Sequence, residues 1–161
     1  MSLSIAVCEK SDWKSMVGIF TEMEEHYFGA GIIEPSKMET YLESRVFAPD
    51  SGVIVIRVKQ DEAIIGFACV NILYPSPRYS GQMYIKELYI SAAQRGQGVG
   101  RRLMQYIARL AVERECLRLD WMSEKSNAGS ARFYRSLGGE TLDGMFHFRL
   151  FGESLHNLAD K

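Results

Sequence analysis

Gly96, Gly98 and Gly100 alternate with other residues in the stretch QRGQGVGRRL, with Arg95 before them and Arg101 and Arg102 after. Permissive backbone beside guanidinium groups suits the binding of a bulky anion. Glycine in the first turn of a helix weakens it, so three glycines there imply that something must approach the backbone closely. A strand-like run, QMYIKELYIS, leads into the stretch, and an amphipathic helix follows from Gly98 to about Glu115. A strand-to-helix turn of this kind offers free N–H groups and the positive end of the helix dipole, which together make a phosphate site. A flexible surface turn is the plainer alternative. Two familiar phosphate loops do not match. The fingerprint G-x-G-x-x-G would need a glycine where Arg101 or Leu103 stands, and no Gly-Lys-Ser/Thr occurs.

The surrounding pattern supplies elements to position that turn. LSIAVCE alternates as a first strand. Ser11 and Asp12 can cap a helix whose apolar stripe runs Trp13, Val17, Phe20, Met23 and Tyr27. GAGIIEPSK interrupts it, and a second helix after Pro35 turns Met38, Leu42 and Val46 inward. GVIVIRVKQ and AIIGFACVNILY form strands around a turn at Gln60, Asp61 and Glu62, and PSPRYSG reads as a loop. Behind the glycines, Val99, Leu103, Ile107 and Leu110 form one stripe. LRLDWM is a short strand, NAGSARFYRSL a helix stopped by Gly138 and Gly139, MFHFRLF a last strand and ESLHNLA a terminal helix or turn. This order predicts an α/β fold, antiparallel in its first half with a strand–helix–strand crossover later.

Composition bounds the function. A chain of 161 residues with 47% hydrophobic and 24% charged residues fits one domain, residues 1–161, with a real core. A net charge of −1 argues against a dedicated nucleic-acid binder. The charge is uneven: residues 1–50 carry nine acids and four bases, and residues 86–135 carry five acids and ten bases. That split suits an anion held by the second half and a cation near the first, although solvated faces would also produce it. Cys8, Cys69 and Cys116 have no metal-ligand spacing, so no metal is expected, and their sparse, odd number suits a reducing cytoplasm. Neither a signal peptide nor a membrane span is legible.

Two motifs together resemble the GNAT N-acetyltransferases. Arg95, Gly98 and Gly100 fit the family pattern Arg/Gln-x-x-Gly-x-Gly/Ala, and ELYIS before them looks like the family's fourth strand. Asn127, Ala131, Phe133, Tyr134 and Gly138 resemble its later motif in the expected order. The resemblance implies a GNAT fold: a mixed, mostly antiparallel sheet of about six to seven strands flanked by about four helices and splayed at the fourth and fifth strands. It implies acetyl-CoA (CoA) as cofactor. Backbone groups of Leu88, Tyr89 and Ile90 would hold the pantetheine, and the amides of Gly96, Gln97, Gly98, Val99, Gly100 and Arg101 the pyrophosphate, with Arg95 anchoring the turn. Asn127 would touch the pantetheine or its phosphates, or serve only as a helix cap. Within the family, IIGFACVNILYPSPRYSGQMYIKELYI and FHFRLFGESLHNLA are similar to the diamine and thialysine acetyltransferase branch, from whose usual pattern Lys86 and Met145 depart. A homodimer is compatible with the resemblance.

Acetyl transfer to an amine makes three demands. Aliphatic amines, with a pKa of about 10.4, must lose a proton. The oxygen that gains charge needs a donor, and the leaving thiolate needs a proton. Glu87 is the candidate base, through ordered water, with a salt bridge as its structural alternative. The N–H near Ile90 would serve the oxygen, and Tyr134 the sulfur. No cysteine matches a family nucleophile, so direct attack by the amine is expected. Glu24, Glu25 and Tyr27, in the acidic stretch TEMEEHYFG, and Glu87 are candidates to bind a small cationic acceptor such as a polyamine, diamine or lysine-like amine. A solvated acidic helix face, a peptide, protein or antibiotic acceptor, and a non-catalytic acetyl-CoA-binding module stay open.

Overall fold

The computed structural model describes residues 2–161. It divides into two compact units, one ending at Met122 and the other spanning Ser123–Lys161.

The first unit holds one five-stranded sheet in sequential order: β1 (Leu3–Val7), β2 (Ile54–Gln60), β3 (Ala63–Ser76), β4 (Ser80–Ile90) and β5 (Cys116–Trp121). Neighbours from β1 to β4 are antiparallel, and β4 and β5 are parallel. Helices α1 (Trp13–Phe28) and α2 (Pro35–Tyr41), the latter continued by a π turn over Leu42–Val46, lie between β1 and β2, and α3 (Val99–Glu113) forms the crossover. Met16, Ile19, Phe20 and Met23 of α1, with Met38 and Leu42, pack on Val55, Phe67, Cys69 and Tyr89. Phe20 stacks on Phe67 at 4.2 Å between centroids. Helix α3 lies along β4 and β5 and buries Val99, Leu103, Ile107 and Leu110, the stripe read from the sequence.

Several expectations are corrected. The inward stripe of α1 is Met16, Ile19, Phe20 and Met23, and Tyr27 stays 58% exposed. Two apolar sets share this helix at 3.6-residue spacing, and contact with the sheet selects between them. Asp12 occupies the N-cap of α1 without capping it, because its carboxylate accepts the Glu9 N–H at 2.8 Å and an Arg57 N–H at 2.9 Å. Most of PSPRYSG is not loop: β3 runs to Ser76, a 3-10 turn covers Pro77–Tyr79, and β4 starts at Ser80. Pro75 falls within the register shift between Leu73 and Ser76, where no ladder N–H is required.

The second unit contains α4 (Ala128–Ser136) and α5 (Gly152–Ala159). The expected last strand, residues 145–151, adopts no strand among the described residues. Alternation specifies only one side of a strand, and a paired edge is the other. The described sheet therefore has five strands rather than six or seven, and five α-helices stand where about four were expected.

Candidate active site

One irregularity in β4 organises the site. Cys69 pairs with Glu87 but Val70 pairs with Ile85, so Lys86 is an extra residue, a β-bulge. The β4–β5 ladder ends at Ile85 and Trp121, and the rest of β4 has no β5 neighbour. This is the expected splay. Along the splayed part, the Ser91 N–H donates to the Ile65 carbonyl at 2.8 Å. Strand alternation then turns the backbone of Tyr89 and Glu87 toward β3, and that of Leu88 and Ile90 toward the open edge. Of the three residues expected to present backbone groups to a ligand, Leu88 and Ile90 face the open side.

The glycine stretch follows directly. After a 3-10 turn at Ala92–Gln94, Gly96 and Gly98 take φ of +77° and +80°, a region that side chains disfavour. A Cβ at either position would meet nothing within 4 Å. Arg95 donates from Nε to the Ile90 carbonyl at 2.9 Å, and its guanidinium lies 5.4 Å from the Tyr89 ring centroid. Arg95 therefore ties the turn to the strand end. Gly98 is the N-cap of α3 and brings no side-chain cap, and the first intrahelical bond runs from Arg102 N–H to the Gly98 carbonyl at 3.2 Å. The amides of Val99 and Gly100 precede that bond and open the positive end of α3.

The other face of the bulge carries the acids. Glu87 sits on the face covered by α1, and its carboxyl is raised above the ordinary glutamate range. Burial is the main cause, the Lys86 ammonium opposes it, and the negative charge of Glu24 adds to it. Lys86 Nζ is 3.8 Å from Glu87, but the lysine side chain is 71% exposed, so the pair is weak. Glu24 also lines an open cleft of about 310 Å³ with Ile32, Ile33, Glu34, Lys37, Met38 and Tyr41. Tyr27 and His26 stand beside Tyr89, with centroids 6.5 and 5.8 Å away. Glu25 accepts the Gly31 N–H at 3.2 Å, so its carboxylate braces the loop after α1.

Glu22 belongs to the acidic stretch expected to face a cationic amine, and its contacts are structural. Its carboxylate accepts the Ser91 hydroxyl at 2.8 Å and the Tyr89 hydroxyl. Burial and the Glu22 carboxylate push the Tyr89 hydroxyl up to about 12, so it remains a donor at neutral pH. Glu22 thus fastens α1 to the end of β4. Burial also raises the Cys8 thiol to about 11 and the Cys69 thiol to about 12, which keeps both protonated.

In the second unit, Asn127 caps α4, its Oδ1 accepting the Ser130 N–H at 3.1 Å. Tyr134 is half-buried near the end of α4, its ring 5.3 Å from that of Phe133. Among the described residues no cluster of three His, Cys, Asp or Glu could hold a metal, and no helix is long and apolar enough to cross a membrane.

A bulged fourth strand that parts from the fifth, followed by a glycine turn into a helix, is matched across residues 15–138 by the acetyltransferase (GNAT) family. The chain belongs to that family. This GNAT chain is 37% identical to a solved integron cassette protein from the mobile metagenome of V. cholerae, over 100% of this chain and 99% of the other, with a TM-score of 0.94. It is 27% identical over 111 residues to a thialysine Nε-acetyltransferase of Sus scrofa, covering 63% of this chain and 61% of that relative. It is 24% identical over 123 residues to an L-ornithine N5-acetyltransferase of Arabidopsis thaliana, covering 76% and 52%. The GNAT chain therefore spans less than two thirds of the length of these curated relatives.

Proposed function

We propose that this GNAT chain is an acetyl-CoA-dependent N-acetyltransferase whose acceptor is a small cationic amine. The observation that carries the reading is the bulge at Lys86. It lets one strand offer the Leu88 and Ile90 backbone on its open edge and the raised Glu87 carboxyl on the α1 face. The likeness to thialysine and L-ornithine acetyltransferases supports an amine on a small molecule.

The residues fit the cofactor. Leu88 and Ile90 would bond the pantetheine amides as a peptide bonds a sheet edge. Val99 and Gly100, with the rest of the turn from Gly96 to Arg101, would hold the pyrophosphate over the empty space above Gly96 and Gly98. Asn127, while capping α4, would meet the pantetheine with its amide. Bound acetyl-CoA supplies an acetyl thioester. Glu87 takes the ammonium proton, directly or through water. The Ile90 N–H would donate to the acetyl oxygen, and Tyr134 would donate to sulfur. Protonated Cys8, partly buried, and Cys69, buried, favour direct attack by the amine over an acyl-cysteine. Glu24 and the cleft beside it give the acceptor's cation a counter-charge, and Tyr27 would flank it.

Thiol release with a panel of diamines, polyamines, L-ornithine, thialysine and peptides tests the acceptor class. Turnover with the small amines is expected. Turnover with peptides alone would overturn the acceptor assignment, and CoA binding without any turnover would make the chain a binding module. Gly98→Ala tests the cofactor turn. A side chain at φ +80° costs about 1–2 kcal/mol. The added methyl also enters the space assigned to phosphate, so CoA affinity should fall about tenfold, equivalent to about 1.4 kcal/mol. Calorimetry showing unchanged affinity in a destabilised variant would place the pyrophosphate elsewhere.

A further inference from the structure

We propose that Glu22 is a positioning residue for acetyl transfer: from α1 it fixes the end of β4 so that the Ile90 N–H meets the acetyl oxygen. The assignment rests on the reading of the chain as an acetyltransferase, and Glu22 acts in it through Tyr89 and Ser91. These two residues flank Ile90, and strand alternation puts their side chains on one face, the α1 face that also carries Glu87. One carboxylate receives both hydroxyls. That of Ser91 donates to Glu22 at 2.8 Å, and that of Tyr89 donates to it as well. An ionised acceptor makes these the stronger kind of hydrogen bond. The helix that carries Glu22 is itself anchored. Ile19 and Met23 are buried, and Phe20 stacks on Phe67, the β3 partner of Tyr89.

The splay creates the need for such a tie. The β4–β5 ladder stops at Ile85 and Trp121. The Ile90 amide therefore faces an edge that no strand steadies among the described residues. The groups around that amide are already committed. The Ile90 carbonyl accepts the Arg95 Nε–H at 2.9 Å, and the Ser91 N–H donates to the Ile65 carbonyl at 2.8 Å. On the β3 side the fit leaves no play. A Cβ on Gly66 would stand 2.8 Å from the Tyr89 carbonyl oxygen and 2.7 Å from Ile90 Cδ1. Glu22 supplies the hold on the α1 side, so β3, the glycine turn and α1 together fix the Ile90 peptide. A catalytic group misplaced by about 1 Å can cost about 10²-fold in rate. Releasing one of three holds on an oxygen donor should thus be felt in turnover.

Two substitutions separate positioning from charge. Glutamine keeps an oxygen with two lone pairs for the two hydroxyls, and alanine keeps none. Glu22→Ala should lower kcat about 10–100-fold, less than the outright loss of an oxygen donor, with KM for the amine unchanged. Glu22→Gln should recover kcat to within about threefold of wild type. Ser91→Ala removes one of the two bonds and should fall between them. NMR of the full chain gives a readout free of turnover. Exchanging CoA for acetyl-CoA should move the Ile90 amide proton downfield in wild type and in Glu22→Gln, and should leave it in place in Glu22→Ala. Undiminished kcat in Glu22→Ala would overturn the proposal. So would a glutamine variant as slow as alanine with a raised KM for the amine, which would make Glu22 a counter-charge for the acceptor. An Ile90 amide that ignores the acetyl group in wild type would overturn it equally. A wild type that shows the shift yet acetylates no amine would remove the acetyltransferase reading instead, and loss of the shift in Glu22→Ala would still support the assignment of Glu22.

Discussion

Replacing Glu87 with glutamine should lower kcat/KM for the amine by about 10²–10⁴-fold, the range of a lost general base, and leave CoA affinity unchanged. The pH profile separates this from a structural effect. The carboxyl is raised by burial and by Glu24, beyond the opposing pull of Lys86. A base works only when deprotonated, so activity rises with pH through that raised value. The acid limb of kcat/KM should therefore lie above the ordinary glutamate range, near about 4.3. Glutamine should abolish that limb. Stability has the opposite sign. A carboxyl raised on folding favours the folded state at low pH, and that contribution is lost as pH climbs through the folded value. At neutral pH the variant should melt no lower than wild type, since glutamine removes a half-buried charge facing Glu24. Low activity in a protein of undiminished stability is the expected signature. An acid limb that persists in the glutamine variant would assign the base to another group, with Glu24 the next to substitute.

What the sequence revealed follows the range of the forces involved. Helix α3 was legible because its core contact repeats every turn: Val99, Leu103, Ile107 and Leu110 are all buried. The glycine turn was legible because positive φ excludes most side chains, and Gly96 and Gly98 adopt it. The bulge at Lys86 left no such mark. It is one extra residue in a ladder, and QMYIKELYIS reads as a strand with or without it. The role of Glu22 was equally hidden. Its partner Ser91 is 69 residues away, and in TEMEEHYFG it is one acid among three. The face of α1 was misread because two apolar sets compete on one helix. The terminal strand failed differently, since its pattern is sound and the partner edge is what pattern cannot supply.

Tyr134→Phe should lower turnover with acetyl-CoA by about 10²-fold, at the lower end of the range for a lost general acid. The substitution removes one hydroxyl and keeps the ring against Phe133. Local structure should survive it. Asn127 caps the start of α4, and at its end the Gly138 and Gly139 N–H groups bond the Arg135 and Tyr134 carbonyls, both at 3.0 Å. Gly138 takes φ of +97° to make that turn. The backbone around Tyr134 is thus held at both ends of the helix by groups the substitution leaves intact. A change of donor isolates the hydroxyl's chemistry. An alkyl thiolate leaves as a base of pKa about 8.5 and gains from a proton. An aryl thioester releases a much less basic thiolate and gains little. If Tyr134 protonates sulfur, the variant's deficit should be large with acetyl-CoA and should shrink toward unity with a phenyl thioacetate donor. An equal deficit with both donors would make Tyr134 a positioning residue, and no deficit with either would remove it from the mechanism. The alkyl-to-aryl comparison is made within one variant, so neither its folding nor its affinity for the amine can imitate the result.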